Sequence, residues 1–192
     1  YIFNIALIVF IKDTEIDRPE TPRYEKLENI QLRDKLTKIN LKQLKASGPL
    51  TLFADVDRII ALKFGTTKDN KSSPLLNEAT SQLKAYFKGQ LKHFNLPLNV
   101  LGTDFQKTLW GLIENIPYGS TSSYGELAQD LGSAPRAVGG ACGKNPIPII
   151  VPCHRVLAAN YKIGGFSGGD GIQTKASLLR LEGITLDFKI TK

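Results

Sequence analysis

The hexapeptide Val151-Pro152-Cys153-His154-Arg155-Val156 constrains this chain more than any other stretch. It closes residues 145–152, where Pro146, Pro148 and Pro152 forbid a regular helix. That run is expected to lie extended, anchored in the interior by Ile147, Ile149, Ile150 and Val151, and to deliver Cys153 at a fixed place. A lone cysteine is more often a small buried hydrophobe than a nucleophile. Three features point to chemistry: the rigid proline before it, His154 and Arg155 after it, and basic surroundings that would lower a thiol pKa. Neighbours on an extended segment face opposite ways, so His154 is expected to reach the sulfur through a bridging water rather than directly. The imidazole then needs an acceptor to orient it. Glu182, in the last turn of a C-terminal helix, is the candidate, although spacing alone would leave it an exposed carboxylate.

The rest of the composition narrows the setting. At 192 residues the chain is one large domain or two small ones, and either can bury a core. A formal net charge of +7 fits a nucleic-acid or anionic-surface partner, although a merely basic soluble protein would carry it too. Two cysteines, Cys142 and Cys153, are too few for a disulfide framework. The two histidines, His93 and His154, and the lack of a Cys-x-x-Cys pair give no zinc-ligand spacing, so neither metal nor cofactor is expected. Residues 1–11 are strongly apolar but much shorter than a membrane span, and lack the flanks of a signal peptide; a buried strand is expected there. The absence of any methionine, an initiator included, is what a fragment or an edited chain would give.

Along the chain, residues 12–40 are highly charged, with a weak helical stripe at Leu27, Ile30, Leu36 and Ile39, and carry no assigned function. Residues 50–54 and 58–64 read as strands joined by the Asp55-Val56-Asp57 turn, a hairpin. Ser73 and Pro74 open a helix with apolar positions Leu76, Ala79, Leu83, Tyr86 and Phe87, stopped by Gly89. A domain boundary is placed near residue 100. This divides the chain into an unassigned extension (1–40), a small α/β domain (41–99) and a helical domain (100–192). Thr103 caps the next helix, whose stripe is Phe105, Leu109, Leu112, Ile113 and Ile116, with Trp110 beside it in the core. The overall class is α+β: a small β-sheet and helix domain, then an all-helical, winged-helix-like domain.

Residues 123–131 and 135–144 form two short helical patterns joined by Gly132-Ser133-Ala134, a helix-turn-helix. The second helix is unusual: Gly139, Gly140 and Gly143 each cost roughly 1 kcal/mol relative to alanine. A major-groove reader would display several long polar side chains. Here only Arg136 and Lys144 qualify, which favours sequence-tolerant binding along the sugar-phosphate wall or in the minor groove. The pattern alone leaves open an ordinary helix pair packed in the core. Downstream, residues 164–169 make a glycine-rich loop with one aromatic and one hydroxyl, suited to closing over a flat ligand. It lacks the Gly-Lys-Ser/Thr ending of a phosphate loop. Residues 172–181 then form a helix closed by Gly183.

With Pro135-Arg136-Ala137-Val138-Gly139-Gly140-Ala141, Asn145-Pro146, Ile150 to Val156, Gly165-Phe166-Ser167-Gly168-Gly169 and Leu181-Glu182-Gly183 in one order, the chain resembles the O6-alkylguanine-DNA alkyltransferases. The likeness is dense over residues 100–185 and loose over 49–95. It implies that Cys153 is the alkyl acceptor, held as a thiolate by His154 and Glu182 through a water. It further implies that Arg136 enters the base stack, with Ala137 and Lys144 beside it on the DNA. Tyr124 would help turn the nucleotide out and protonate the guanine, and Asn145 would brace the turn carrying the cysteine. Val156, Phe166, Ser167 and Pro148 would contact the flipped base. Phe166 departs from the tyrosine common at that place, Cys142 is taken as passive, and residues 1–40 and the zinc site of some members have no counterpart.

The expected function is therefore direct, irreversible, single-turnover transfer of an alkyl group from O6-alkylguanine, with O4-alkylthymine as a minor candidate, onto the protein's own cysteine. The product is a thioether with no carbonyl for water to attack, and the target base must leave the duplex. The partner is double-stranded DNA, met through the minor groove with little sequence preference. No membrane association is expected, and the protein is read as a monomer, cytoplasmic in a prokaryote or nuclear in a eukaryote. The competing readings are a lesion binder without chemistry, which would replace the cysteine; a helix-turn-helix regulator with a structural cysteine; and a cysteine hydrolase, which needs a directly paired histidine.

Overall fold

The computed structural model describes residues 2–9, 37–40, 49–66 and 72–186. Four strands form one sheet: β1 (Ile2–Val9), β2 (Thr37–Asn40), β3 (Leu50–Ala54) and β4 (Ile59–Phe64), in the order β2-β1-β3-β4. The β3–β4 pair is the antiparallel hairpin expected from the period-two pattern, with a register shift at Phe53/Ala54. β1 joins β3 in parallel and β2 antiparallel. The apolar N-terminal stretch is thus a strand, as expected. Ile39, read as part of a helical stripe, instead lies in β2; Leu27, Ile30 and Leu36 lie outside the described residues.

Helix α1 (Pro74–Phe87) begins as its sequence dictates, with the Ser73 side chain accepting from Leu76 N and proline in the first turn. Its buried face, Leu76, Ala79, Thr80, Leu83, Tyr86 and Phe87, follows the helical period. Helix α2 (Asp104–Glu114) starts with a full capping box between Thr103 and Gln106. Beyond a two-residue strand, β5 (Ser122–Ser123), come α3 (Tyr124–Asp130) and α4 (Pro135–Cys142). Ser123 and Glu126 box the start of α3, and Gly132 (φ 55°) turns the chain into α4 in a left-handed conformation that costs glycine little. These are the two helices of the expected helix-turn-helix, but α4 ends at Cys142, so Lys144 stands just past it rather than on it. The chain closes through β6 (Val156–Leu157) and α5 (Ile172–Leu181). The C-terminal part is therefore not wholly helical: β5 and β6 pair in parallel, bringing the segment after Cys153 against the start of α3.

One apolar cluster runs from Leu50, Leu52 and Leu83 to Ile113, Ile147, Val156 and Leu178, across the boundary expected near residue 100. Edge hydrogen bonds of β4 reinforce it. Ile59 N donates to Pro97 O (2.8 Å), Asn99 N donates to Ile59 O (2.9 Å) and Leu62 N donates to Pro146 O (2.9 Å). The last of these fastens the segment that carries the cysteine to the N-terminal sheet. Trp110 on α2 is 2% exposed, and its indole N–H donates to Ala141 O at 3.1 Å, pinning α4 to α2. Replacing Trp110 by alanine should destabilise the fold by about 3–5 kcal/mol, read as a lowered midpoint of urea unfolding.

Candidate active site

The segment before the cysteine is a turn, not the extended run expected from its prolines. Val151 N donates to Ile147 O at 2.9 Å, and Ile149, fully buried, sits at φ 76°. A β-branched residue is strained there and stays only because its surroundings over-determine it. Asn145 is the principal brace: its side-chain amide donates to Val151 O (2.8 Å) and its oxygen accepts from Ile147 N (3.0 Å). Prolines exclude a helix; they do not exclude a turn closed by a side chain.

The strained turn hands the chain to a 3-10 turn, Cys153–Arg155, with Arg155 N bonded to Pro152 O at 2.9 Å. The alternation expected of an extended strand therefore does not apply to Cys153 and His154. Cys153 is 8% exposed and His154 is sealed. Glu182, which spacing alone would leave exposed, is buried, because α5 returns its C-terminal end to this turn. His154 Nε2 lies 2.8 Å from Glu182 Oε1, so that nitrogen carries the proton. Its other nitrogen, Nδ1, is buried and has no hydrogen-bond partner among the described residues, which leaves it as the acceptor.

Glu182 is bound by more than the histidine. Arg155 grips it in a bidentate fork, Nε to Oε2 at 2.8 Å and Nη2 to Oε1 at 2.9 Å, while its third nitrogen holds Ile116 O. Tyr86 Oη donates to Oε1 at 2.6 Å and Gly119 N to Oε2 at 3.3 Å. Burial alone would raise the carboxyl pKa, but the hydrogen bonds it accepts from His154, Arg155 and Tyr86 bring it down to about 2. Burial holds His154 below its usual pKa despite Glu182, so it is neutral and basic at Nδ1.

Cys153 departs from its expected electrostatics. Burial pushes its thiol up, opposed by Asn145 and by Lys175. Arg155, its neighbour but one, spends its charge on Glu182. Lys175 is fully buried on α5, donating to Val156 O (2.6 Å) and Gly165 O (3.3 Å), with its own pKa lowered by burial to about 8. Lys175 and Tyr86 are the residues that sequence reasoning missed. The signal for Lys175 was a lysine on the apolar face of α5, between Thr174 and Ala176; Tyr86 was read only as part of the α1 stripe.

A cavity of about 410 Å³ opens onto the sulfur, lined by Tyr124, Gly139, Cys142, Gly143, Cys153, Gly165, Phe166 and Ser167. Tyr124, Phe166 and Ser167 thus line one cavity with Cys153. Burial lifts the Tyr124 phenol to about 12, so it remains a proton donor at neutral pH. Val156 and Pro148 do not line this cavity. The Val156 side chain is fully buried, leaving its carbonyl to Lys175, and Pro148 lines a neighbouring groove with Lys63, Phe64, Lys144 and Asn145. The two hollows share Gly143 and Ser167. Phe64 of β4 meets Phe166 edge-on, with centroids 6.2 Å apart. A Cβ on Gly168 would stand 2.2 Å from the Phe64 ring, so this loop needs glycine to close against the sheet. Arg136, Ala137 and Gly140 are exposed on α4, and a Cβ on Gly139 or Gly140 would meet nothing within 4 Å among the described residues beyond the helix's own backbone.

Most of the chain is similar to known proteins. Residues 104–184 match the 6-O-methylguanine DNA methyltransferase DNA binding domain, and residues 44–100 match the ribonuclease-like domain of the same family. A methylated-DNA–protein-cysteine methyltransferase of Methanosarcina acetivorans is 43% identical over 146 residues, 71% of this chain and 92% of that protein. The Mycobacterium bovis protein of that name is 53% identical over 106 residues, 54% of this chain and 63% of its own length. Among solved structures, Mycobacterium tuberculosis OGT in complex with DNA aligns with a TM-score of 0.64 at 45% identity, covering 70% of this chain and 86% of that one. With both family domains in order and a relative matched over nearly its whole length, the chain belongs to the methylated-DNA–protein-cysteine methyltransferase family.

Proposed function

We propose that this protein repairs DNA by taking the alkyl group of O6-alkylguanine onto Cys153, once per molecule. What supports the reading is a cavity that opens onto Cys153 and is lined by Tyr124, with a buried His154 Nδ1 that has no hydrogen-bond partner among the described residues. His154, its Nε2–H held by Glu182, takes the Cys153 proton at Nδ1 through a bridging water. The sulfur then attacks the alkyl carbon; the S–C bond forms as the C–O6 bond breaks, and the electron pair goes to the guanine. Tyr124 gives its proton to the departing base. The thioether that remains has no route back to the thiol.

The DNA face in this reading is α4. Gly139 and Gly140 lower helix stability, and among the described residues nothing outside the helix closes on their small surface, which favours close approach by another backbone. Arg136 fills the place of the extruded base, with Ala137 and Lys144 against the adjoining backbone, and the minor groove is the side that suits so flat a helix. The protein acts as a monomer, wherever the cell keeps its DNA, with residues 41–99 and 100–192 as its two units and, against the expected extension, β1 and β2 of residues 1–40 joined to the sheet of the first. Among the described residues, no helix is long and apolar enough to cross a membrane.

Intact mass spectrometry after incubation with methylated duplex should show a gain of one methyl group, mapped to the peptide containing Cys153. Cys153→Ala should abolish that gain while duplex affinity stays within a factor of about two; methyl uptake by the variant would remove Cys153 from its role. Arg136→Ala should weaken duplex binding about tenfold, the effect of losing ~1.4 kcal/mol, and spare reaction with free benzylguanine. Fluorescence anisotropy of labelled duplex over a salt series should show affinity falling steeply with ionic strength, with a shallower slope for Arg136→Ala.

A further inference from the structure

We propose that Tyr86 is a positioning residue of the alkyl-acceptor site: its hydroxyl, brought in on α1 from the N-terminal sheet side, limits how strongly Glu182 draws on His154 and so sets the pH at which Cys153 becomes reactive. The inference rests on the reading of Cys153 as nucleophile and His154 as its base. Tyr86 lines no part of the cavity; its short hydrogen bond is to the carboxylate, and its contact with the imidazole is longer.

Tyr86 is fully buried, and its ring is fixed by Phe87 (5.3 Å), Phe94 (5.3 Å) and Tyr118 (6.1 Å) between centroids. A phenylalanine would fill that apolar slot equally well, yet the position carries a hydroxyl. That hydroxyl donates to Glu182 Oε1 at 2.6 Å and stands 3.4 Å from His154 Nε2. Oε1 therefore serves three donors at once: Tyr86, His154 and Arg155 Nη2. An oxygen shared among three donors is a weaker acceptor for each. Burial and the adjoining carboxylate keep the phenol protonated, so it never ceases to donate.

Removing the hydroxyl leaves more of the Oε1 charge on the His154 N–H. The imidazole then binds a second proton more readily and must be freed of it at higher pH before it can accept from Cys153. The other groups facing this pair are Arg155 on the same turn, Glu182 and Lys175 from α5, Tyr118 after α2, Tyr124 on α3 and Cys142 on α4. Tyr86→Phe replaces none of them and takes one donor from Glu182.

The test is the rate of Cys153 modification as a function of pH in the full chain, measured with methylated duplex and separately with iodoacetamide, both mapped by mass spectrometry. Tyr86→Phe should move the acid limb of both profiles up by about 0.5–1 unit, the scale of one hydrogen bond, with duplex affinity unchanged. Placing 3,5-difluorotyrosine at position 86, a stronger donor of nearly the same shape, should move the limb down. A Tyr86→Phe profile that superimposes on the original, shifts down, or is only scaled at every pH overturns the proposal. If Tyr86→Phe fails to fold in a thermal melt, the fluorinated protein decides, and an unmoved limb there refutes it. Should the unaltered protein react with iodoacetamide at Cys153 but never with methylated duplex, the functional reading fails, and the iodoacetamide profiles still judge Tyr86.

Discussion

A single buried carboxylate organises this site. Glu182 accepts from Tyr86, Gly119, His154 and both arms of the Arg155 fork. An isolated charge at that depth would be prohibitive, and the donors make it stable as an anion. The same contacts join parts far apart in sequence: α1, the loop after α2, the turn carrying the cysteine and the end of α5. Removing one partner of such a group leaves the others facing an unbalanced charge. The network therefore fixes the relative placement of these elements as firmly as the apolar packing around it does.

What the carboxylate achieves for His154, the segment before Cys153 achieves for the sulfur. Ile149 in the left-handed region and the two Asn145 hydrogen bonds form a turn that would relax if either were released. The hydrogen bond from Leu62 to Pro146 ties that turn to the sheet, and Phe64 from the same strand buttresses the glycine loop on the cavity's far side. Strand β4 thus supports both walls of a cavity whose lining residues all come from the C-terminal part. The N-terminal sheet is a scaffold for the site, which explains why one apolar core crosses between the two parts.

Much of this was legible in the sequence wherever the determinant is local. Ser73, Thr103 and Ser123 announced their helices because a cap is decided within three residues. The β3–β4 hairpin followed from alternation and a short turn. Cys153 stood out by its flanking Pro152 and His154. The features that escaped are those set by distant partners. Lys175 buried among apolar residues depends on contacts made only once the chain has folded, whereas Asn145 bracing the turn and Glu182 meeting His154 were expected through the family resemblance rather than from spacing. Tyr86 is the clearest case: its place in a helical stripe showed that it is buried, and nothing in α1 tells which polar atom its hydroxyl meets across 96 residues.

The buried thiol also changes how reactivity should be understood. A cysteine surrounded by exposed cations would rest as a thiolate; here burial pushes the thiol up and its neighbours only partly oppose this. The resting group is the neutral thiol, with a neutral imidazole nitrogen to receive its proton when a substrate is in place. Low polarity around the sulfur disfavours the charged reactant and imposes no such penalty on the uncharged thioether. The apolar enclosure that makes the thiolate costly to form thus helps make its alkylation irreversible. A site used once per molecule gains from that bargain, because it has no later step in which the sulfur must be freed.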